Sequence, residues 1–465
     1  MKTMWYKDYY YPNIRNGRTI WYHDHAMGTT AYNAYIGQAG PWIIHDSDED
    51  ALGLPHTYGI DDIPVMVCSK QYNQDGTLYW SEAERQGLWG DVIHVNGQPW
   101  PYFAVLPKRY RLRLLNSAIS RAFIFYFVSD DQNDDSDRIT FQVIASDSGL
   151  LSAPQTTSTL RISSGERYEI IIDFSHYVGQ NITLRNERRI IGNPDYAETD
   201  KVMRFVVSST PVTDTTSVPS SLRHIDTLSD EAGVDHQFRF EREGNDWTIN
   251  GVKFSDVRNR VLARVPVGTV EKWELLNVGP QELLHPVHLH LVDFRIIGRE
   301  GGQSRDPESS ENSGSSTGSK KHKTLEALKG HTDDKDTKST SRDLSVQPYE
   351  SSGLKDVVWV GPGERVTVEA HYGPWIGAYM FHCHNLVHED HEMMAVFNVT
   401  ELSELGYDNM ELADPMDPRW LARPVREEAF EEDAIRRTVQ EMAMLSAYTN
   451  PQKRGIGPGT TDQAA

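Results

Sequence analysis

Histidines that could bind a metal occur in three short groups along this chain. Each group contains a His-x-His pair, and residues two apart in a β-strand project from the same face. A single pair of this kind is more often ordinary polar surface, but three pairs in one chain, one of them enclosing a cysteine, favour metal binding. The groups are His23 and His25; His285, His288 and His290; and His382, His384 and His388, with Cys383 inside the last group.

The third group offers sulfur ligands as well as imidazoles. Cys383 is followed five residues later by His388 and ten residues later by Met393. If residues 380–384 form a strand, Cys383 projects from one face and its two flanking histidines project from the other. One strand then serves two metal sites that lie back to back. A thiolate, two imidazoles and a weak axial methionine form a blue-copper electron-transfer site, and the methionine favours copper over zinc.

The second imidazole of such a site is expected from the middle group. His288 and His290 share one face of a predicted strand. Pro286 lacks a backbone N–H, so we expect it to interrupt the strand ladder and set His285 apart from that pair. His285 then joins Cys383 at the blue-copper site, and the other two histidines join the site behind it.

The elements that position these groups are predicted to be β-strands, because short β-type runs separated by turn residues dominate up to about residue 400. This spacing predicts an all-β protein built from β-sandwiches. A Ser/Thr/Pro-rich stretch at 209–221 predicts a linker. Apolar residues at helical spacing predict an amphipathic helix near the end of the chain. The predicted divisions are 1–50, 51–210, 222–400 with a polar, disordered insertion at 301–348, and a tail at 401–465 with a helix at about 424–447.

Composition excludes some partners. The formal net charge of -21 disfavours binding to nucleic acid or to an anionic membrane surface, and we find no apolar run of membrane-helix length. Two cysteines provide no disulfide framework, and Cys68 lies in an apolar run where we expect it to pack as a small core residue. The first residues lack the apolar stretch of a signal peptide, whereas glycosylation sequons at Asn181 and Asn398 favour secretion.

The three groups resemble three of the four copper-binding motifs of the multicopper oxidases. The resemblance extends to longer segments and covers nearly the whole chain apart from the 301–348 insertion, and within the family it is nearest to the laccase-like fungal bilirubin oxidases. The segments that carry it are 7–13 (KDYYYPN), 21–27 (WYHDHAM), 88–101 (LWGDVIHVNGQPWP), 290–294 (HLVDF) and 381–394 (FHCHNLVHEDHEMM).

This resemblance implies three tandem cupredoxin-like, Greek-key β-sandwich domains and three kinds of copper site. Its implied type 1 ligands are His285, Cys383, His388 and Met393. Its implied type 2 ligand is His288. Its implied type 3 ligands are His23, His25, His290, His382 and His384.

The reaction implied by the resemblance is the oxidation of a small aromatic or tetrapyrrole donor, such as bilirubin or a phenol, by dioxygen. Electrons would enter at the type 1 copper and pass through Cys383 to the type 2 and type 3 coppers, where dioxygen is reduced to water. Glu389 resembles a proton-relay position of the family, and the alternative is an ordinary solvated glutamate. We expect a monomer, secreted as in the family.

The chain departs from the family pattern in one respect. A fourth His-x-His motif, expected upstream of His23, is absent, so the chain supplies six cluster histidines where the family uses eight. We therefore expect an N-terminally truncated chain, with 1–50 the remnant of the first domain and the signal peptide lost with the rest. Three hypotheses stay open: an oxygen-reducing oxidase, a blue-copper protein that reduces little or no oxygen, and a β-sandwich protein without copper.

Overall fold

The described part of the protein is mostly β-structure. A computed structural model describes residues 15–400 apart from 132–136, 189, 191, 229–232, 280–282 and 302–344, together with 3–6, 11, 13, 423–426, 428 and 431–437. Its four larger sheets form two sandwiches, one in the middle of the chain and one after residue 235. In this described part, no helix is long and apolar enough to cross a membrane.

The first segment of the chain contains one small β-ribbon, one further strand and two short helices. Its elements are β1 (Thr3–Tyr6), β2 (Arg18–His23), α1 (Thr30–Ile36), β3 (Ala39–Ile44) and α2 (Ser47–Asp50). β2 and β3 pair antiparallel, which places His23 opposite Ala39 at the end of the ribbon. Gly37 ends α1 with a φ of 114°, a left-handed conformation that glycine adopts most readily.

The middle sandwich contains a seven-stranded and a five-stranded sheet. Its elements are β4 (Asp62–Lys70), β5 (Val92–Val95), β6 (Gln98–Pro99), β7 (Tyr102–Val105), β8 (Arg109–Asn116), β9 (Phe123–Ser129), β10 (Phe141–Ser146), β11 (Gly149–Thr157), β12 (Leu160–Ile162), β13 (Arg167–Asp173), a 3-10 turn (Phe174–His176), β14 (Asn181–Asn186) and β15 (Lys201–Val207). The sheet orders are β11-β10-β13-β8-β4-β5-β6 and β12-β9-β14-β15-β7. Alternate residues of both sheets face one apolar core, and the half-buried Cys68 packs against this core.

The last sandwich contains two five-stranded sheets. Its elements are β16 (His236–Glu243), β17 (Asp246–Ile249), β18 (Val261–Pro266), β19 (Thr269–Asn277), β20 (His285–Leu289), β21 (Phe294–Gly301), α3 (Pro348–Ser351), β22 (Val357–Val360), β23 (Glu364–Tyr372), β24 (Gly377–Cys383), α4 (Leu386–Asp390) and β25 (Met394–Thr400). The sheet orders are β17-β16-β19-β23-β21 and β18-β25-β24-β20-β22. The second sheet therefore places β24 beside β20, the two strands that carry the later histidine groups.

Buried ion pairs join the two sandwiches. The Lys355 ammonium lies 3.0 Å from the carboxylates of both Asp147 and Glu166, and all three side chains are almost fully buried. Breaking a buried pair by removing one partner costs about 3–5 kcal/mol, because the other charge is left without compensation. These contacts therefore fix how the strands of the last sandwich meet the middle one.

The structure confirms the all-β class and corrects two predictions about particular segments. Arg423–Arg426 forms β26, which pairs antiparallel with β1, so the predicted helix at 424–447 does not begin at 424. Pro424 has no backbone N–H to donate within a helix, and β1 offers this segment a partner strand instead. Helical structure is found at 432–437, and 438–447 lie outside the described residues.

The predicted insertion is also shorter than expected at both ends. Gly301 is the last residue of β21, and α3 begins at Pro348 after the described residues 345–347. The backbone N–H of Gln347 donates to the Glu350 carboxylate at 2.9 Å, which stabilises the start of α3. Residues 302–344 lie outside the described residues. The predicted domain boundaries stay predictions, although the strands of the two sandwiches fall within 51–210 and 222–400.

Candidate metal centres

Strand β24 and its neighbour β20 position both groups of potential ligands. In their antiparallel register Cys383 lies opposite Val287, and His382 lies opposite His288. Since side chains alternate between the faces of a sheet, the thiol projects toward the interior of the last sandwich, and the two histidines project from the opposite face. The alternation expected from the sequence is therefore present in β24.

Three potential ligands converge on the inner face. The Cys383 sulfur lies 3.3 Å from Nδ1 of His285 and 3.6 Å from Nδ1 of His388, and the two Nδ1 atoms are 3.3 Å apart. All three side chains are fully buried. Two nitrogens and a sulfur this close around one point match the trigonal ligand set of a blue-copper site.

Met393 is held next to this triad. Its backbone N–H donates to the carbonyl of His388, its carbonyl accepts from the N–H of Cys383, both at 3.1 Å, and its side chain is fully buried. Helix α4 creates this arrangement by returning the chain toward β24 after one turn. The Asn385 side chain caps α4 by accepting from the backbone N–H of Val387 at 3.2 Å.

His285 and His288 of β20 project from opposite faces, but Pro286 is not the cause that the sequence analysis expected. Pairing between β20 and β22 continues through Pro286, with His285 opposite Val360 and Pro286 opposite Trp359. The proline does not interrupt the ladder, so that prediction is wrong. Alternation along an unbroken strand is sufficient, because His285 and His288 differ by an odd number of residues and project from opposite faces.

Burial changes the pKa values of the triad and keeps its two imidazoles free of protons, so that they can bind a metal. Desolvation lowers the pKa of His285 to about 3 and lowers the pKa of His388 well below its ordinary value. Both imidazoles are therefore neutral at pH 7, as metal ligands must be. Burial raises the pKa of the Cys383 thiol. Without a metal the thiol keeps its proton, so metal binding must release it.

Two residues outside the sequence motifs orient His388. The Gln86 carbonyl lies 2.7 Å from its Nε2 atom, which directs Nδ1 toward the sulfur. The Trp247 ring packs on the imidazole with ring centroids 4.0 Å apart, and its indole N–H donates to the Arg85 carbonyl at 2.6 Å. Neither residue carried a signal in the sequence, because both reach the site from distant strands or loops.

A second histidine cluster lies on the opposite face of β24. The Nε2 atom of His382 is 3.4 Å from Nε2 of His25 and 3.3 Å from Nε2 of His290. These three residues form a group whose ligand atoms all lie within 4.8 Å of one another. Each of the three histidine groups in the sequence contributes one member.

The other three cluster histidines adjoin this trio. The His384 ring centroid lies 5.2 Å from that of His23 and 5.9 Å from that of His288, and the rings of His288 and His290 are 4.8 Å apart. Trp21 stacks on His23 at 4.5 Å. All six cluster histidines predicted from the sequence are therefore brought together.

The cluster histidines expose a different nitrogen from those of the inner triad. Their Nδ1 atoms meet oxygen atoms: Asp24 O at 2.7 Å for His23, Asp356 O at 2.7 Å for His288, and Ser164 Oγ at 3.4 Å for His384. These contacts fix the ring orientation and leave Nε2 for a metal. Burial also lowers the pKa of five of the six, which keeps those rings neutral: His23, His25, His288, His290 and His384.

Glu389 connects the cluster to α4. Its buried carboxylate lies 3.0 Å from Nδ1 of His382 and 3.4 Å from Nδ1 of His25. Burial alone would lower the pKa of His382, but this carboxylate opposes the effect and the pKa is raised. Burial would raise the pKa of Glu389, yet the neighbouring imidazoles lower it. Glu389 is thus a buried carboxylate in direct contact with two candidate ligands and not a solvated side chain.

One arginine of the middle sandwich contacts several segments that carry ligands. Both terminal nitrogens of Arg167 donate to the Asp356 carboxylate, at 2.6 and 2.7 Å, and Asp356 supplies the carbonyl next to His288. The remaining N–H groups donate to the carbonyls of Thr19 at 3.1 Å, Gly165 at 3.1 Å and Asp147 at 3.0 Å. All five donors of this buried guanidinium are therefore used.

The contacts of Arg167 reach three ligand-bearing parts of the chain. Thr19 lies in β2, the strand that ends at His23. Gly165 packs against His384 so closely that an added Cβ would lie 2.8 Å from the imidazole. Asp356 immediately precedes β22 and holds the ring of His288. Sequence motifs gave no indication of this arginine.

Comparisons with known proteins identify the family. A family model described as multicopper oxidase matches residues 229–403. The bilirubin oxidase of Albifimbria verrucaria is 48% identical over 455 residues, an alignment that covers 95% of this chain and 72% of that protein. This chain belongs to the multicopper oxidase family. A laccase of Bacillus subtilis (strain 168) is 31% identical over 419 residues, covering 84% of this chain and 72% of the laccase.

Solved structures give the same result for the fold. The multicopper oxidase McoA of Aquifex aeolicus superposes with a TM-score of 0.67 at 27% identity, covering 83% of this chain and 76% of that one. As a multicopper oxidase, the chain is a copper-dependent oxidoreductase that couples oxidation of an organic substrate to reduction of dioxygen. The cupredoxin-like character of the sandwiches is confirmed by this likeness.

The donor sets of the two sites fit copper. A buried thiol between two neutral Nδ1 atoms suits the type 1 ion, for which His285, Cys383 and His388 would be the ligands with Met393 beside them. The Nε2 atoms of His25, His290 and His382 would hold copper of the type 3 kind. The assignment of each of these residues to a particular type of copper remains a prediction of the resemblance, as do those of His288 to type 2 copper and of His23 and His384 to type 3 copper. The geometry places all six histidines in the same cluster.

Proposed function

We propose that this multicopper oxidase oxidises small aromatic or tetrapyrrole donors, including phenols and bilirubin, and that each donor molecule gives up one electron at the Cys383 site. The observation that carries the proposal is the alternation in β24, which puts Cys383 and His382 next to each other in the chain but on opposite faces. Relatives named bilirubin oxidase and laccase support this substrate range.

The two sites are linked by very short covalent paths. Cys383 is bonded through the backbone to His382 on one side and His384 on the other. Copper bound at these ligands would supply one-electron transfer at the Cys383 site and dioxygen reduction at the histidine cluster. The protein itself contributes rigid ligand positions, neutral imidazoles and exclusion of water from the inner triad.

Glu389 is proposed as the group that passes protons to the cluster. Dioxygen reduction to water consumes protons, and this carboxylate is the buried acid in direct contact with His25 and His382. A carboxylate in contact with both imidazoles can receive a proton and pass it to the cluster without movement of the backbone. Substitution by glutamine keeps the size of the side chain and removes this capacity.

Oxygen uptake by the copper-loaded chain tests the proposal. We expect an intense blue thiolate absorption band and oxygen consumption with bilirubin or a phenol as donor, and both should be lost in Cys383→Ser. In Glu389→Gln we expect the blue band to persist while oxygen consumption falls about 10²-fold or more, the usual contribution of a positioned acid–base group. A colourless copper-loaded protein would contradict the assignment of the Cys383 site.

The second candidate function is a blue-copper protein that reduces little or no oxygen. It is favoured by one observation: all four ligands of the Cys383 site belong to the last sandwich, whereas the histidine cluster also requires His23 and His25 from the first segment of the chain. In that case the donor would bleach the blue band and no oxygen would be consumed. Bleaching followed by recovery of the colour in air would instead support the oxidase.

We further propose that the protein is secreted, N-glycosylated and monomeric. The sequons at Asn181 and Asn398 support glycosylation, and both asparagines are partly exposed at strand positions. Expression in a secreting fungal host, with enzymatic deglycosylation and light-scattering mass measurement, tests all three statements.

A further inference from the structure

A short loop of the middle sandwich packs against the Cys383 site. The loop joins β8 to β9 and comprises residues 117–122. The carbonyl of Ile119 in this loop accepts from the backbone N–H of Leu386 at 2.9 Å, and the two side chains belong to one small apolar cluster. Leu386 is the first residue of α4. The loop therefore meets α4 at its start, between Cys383 and His388 in the sequence.

The Ser120 hydroxyl joins this loop to Asn385. It donates to Oδ1 of Asn385 at 2.9 Å, and it accepts from the backbone N–H of Leu88 at 3.1 Å. A serine hydroxyl can do both, because it carries one donor and two lone pairs. All three residues are buried. Removal of the hydroxyl would therefore take a partner from two polar groups that lie away from solvent.

The amide group of Asn385 is held at both of its ends. Oδ1 accepts from Ser120 and from the backbone N–H of Val387, and Nδ2 donates to the carbonyl of Gln86 at 3.2 Å. The same carbonyl lies 2.7 Å from Nε2 of His388, and its two lone pairs allow it to accept from both residues. The Asn385 amide is thus fixed beside the imidazole, with Nδ2 at 3.1 Å from Nε2.

Asn385 also contacts the sulfur of Cys383. Its backbone N–H donates to the sulfur, and this hydrogen bond opposes the rise in the pKa of the thiol that burial causes. A hydrogen bond to a thiolate draws negative charge away from the sulfur. Hydrogen bonding around the cysteine sulfur is one of the features that set the reduction potential of a blue-copper site. A group that fixes Asn385 therefore influences both the sulfur and the His388 imidazole.

We propose that Ser120 is a positioning residue for the Cys383 site: by fixing Asn385 it keeps the backbone N–H directed at the sulfur and so raises the reduction potential of copper bound there. The potential rises because a sulfur with less negative charge stabilises the cupric ion less. The inference rests on the proposed assignment of type 1 copper to this site. Ser120 acts through Asn385, since its hydroxyl bonds to Asn385 and Leu88 and not to a ligand.

Redox titration of the blue band in the copper-loaded, full-length chain tests the proposal. In Ser120→Ala the Asn385 amide is held less firmly, so the oxidised state gains stability relative to the reduced state. We expect the ratio of oxidised to reduced site at a fixed potential to rise about two- to tenfold, the effect of losing one ordinary hydrogen bond. A tenfold change in a one-electron couple is about 59 mV. The blue band itself should persist, because the four ligands are unchanged.

Ser117→Ala is the matched control. Ser117 lies in the same loop and is also buried, but its hydroxyl donates to the carbonyl of Val67 at 3.2 Å, within the middle sandwich. Its replacement removes the same chemical group and should leave the reduction potential unchanged. Equal shifts in the two variants would show that the potential responds to any loosening of the loop, and would overturn the role of Ser120. An unchanged potential in a folded Ser120→Ala variant would overturn it as well.

Hydrogen exchange in the copper-free chain measures the positioning separately from copper binding. We expect the backbone N–H groups of residues 385–387 to exchange about two- to tenfold faster in Ser120→Ala, because one hydrogen bond no longer holds this segment. Ser117→Ala should exchange there at the parent rate. Faster exchange in a chain that never turns blue would contradict the type 1 assignment and leave the positioning of Asn385 intact. A blue chain whose Ser120→Ala variant keeps the parent exchange rate and the parent potential would contradict this inference alone.

Discussion

Replacement of Arg167 is predicted to damage the histidine cluster and leave the Cys383 site intact. The arginine donates five hydrogen bonds, two of them to the Asp356 carboxylate that lies beside His288. None of these hydrogen bonds reaches the ligands of the inner triad. Lysine at this position keeps the positive charge but cannot reproduce the planar two-pronged contact.

The expected cost follows from the hydrogen bonds and the ion pair that each substitution removes. A hydrogen bond to a charged group contributes about 1.5–3 kcal/mol, so Arg167→Lys, which removes at least one such bond, should lower the free energy of unfolding by about that amount. Arg167→Met removes one partner of a buried ion pair and should cost about 3–5 kcal/mol. In both variants the Asp356 carbonyl is less firmly held, so His288 loses its fixed orientation.

Copper spectroscopy distinguishes positioning from simple destabilisation. Under conditions where both variants remain folded by urea titration, we expect the blue band to persist and the copper bound by the cluster to fall about 10-fold or more in affinity, as is usual when the groups that orient a ligand are removed. Electron paramagnetic resonance separates the two kinds of cupric ion. Arg111→Lys is the matched control, since this arginine is equally buried but pairs with Glu49 and Glu169.

Two results would refute this reasoning. If Arg167→Lys loses stability while cluster copper keeps its affinity and spectrum, the arginine only holds the sandwiches together. If Arg111→Lys loses cluster copper to the same extent at the same stability, the effect is not specific to the hydrogen bonds of Arg167.

Three further predictions each concern the replacement of a single residue. Gly165→Ala should cost about 1–3 kcal/mol and lower cluster copper content, because the backbone φ is +85° and the new Cβ would lie 2.8 Å from His384; a variant with full copper content would contradict this. Trp247→Ala should lower the free energy of unfolding by about 3–5 kcal/mol and shift the blue band, since the indole packs on His388; urea titration and absorption spectra measure both. Burial raises the pKa of Glu271 to about 7, so the stability it contributes is complete below about pH 4.5 and is lost as the pH rises through 7. Glu271→Gln should therefore unfold at a higher urea concentration than the parent above pH 7, and a gap that does not narrow toward pH 4.5 would contradict this.

Local patterns in the sequence predicted the parts of the structure that depend on local geometry. The alternation of His382, Cys383 and His384 follows from the period of a strand, and the five-residue spacing to His388 requires only one short helical turn. The all-β class follows in the same way from short apolar runs between turns. Pro286 misled the prediction because a proline is tolerated in a strand where its nitrogen is not needed for the ladder.

Contacts between distant segments could not be predicted in this way. Trp247 and Arg167 reach the sites from other strands, and no residue type or spacing near either one indicates a copper neighbour. The start of the C-terminal helix was wrong for the same reason, since the pairing of Arg423–Arg426 with Thr3–Tyr6 joins opposite ends of the sequence. Such pairings depend on how the whole chain is packed.

The alternation in β24 also restricts how this region can evolve. Deleting or inserting one residue between Phe381 and His384 would turn the side chains on one side of the change to the opposite faces of the sheet, moving the thiol toward the histidine cluster and an imidazole toward the interior of the sandwich. Neither metal would then find a complete ligand set. Length variation should consequently be excluded from this stretch in descendants of this gene that retain activity.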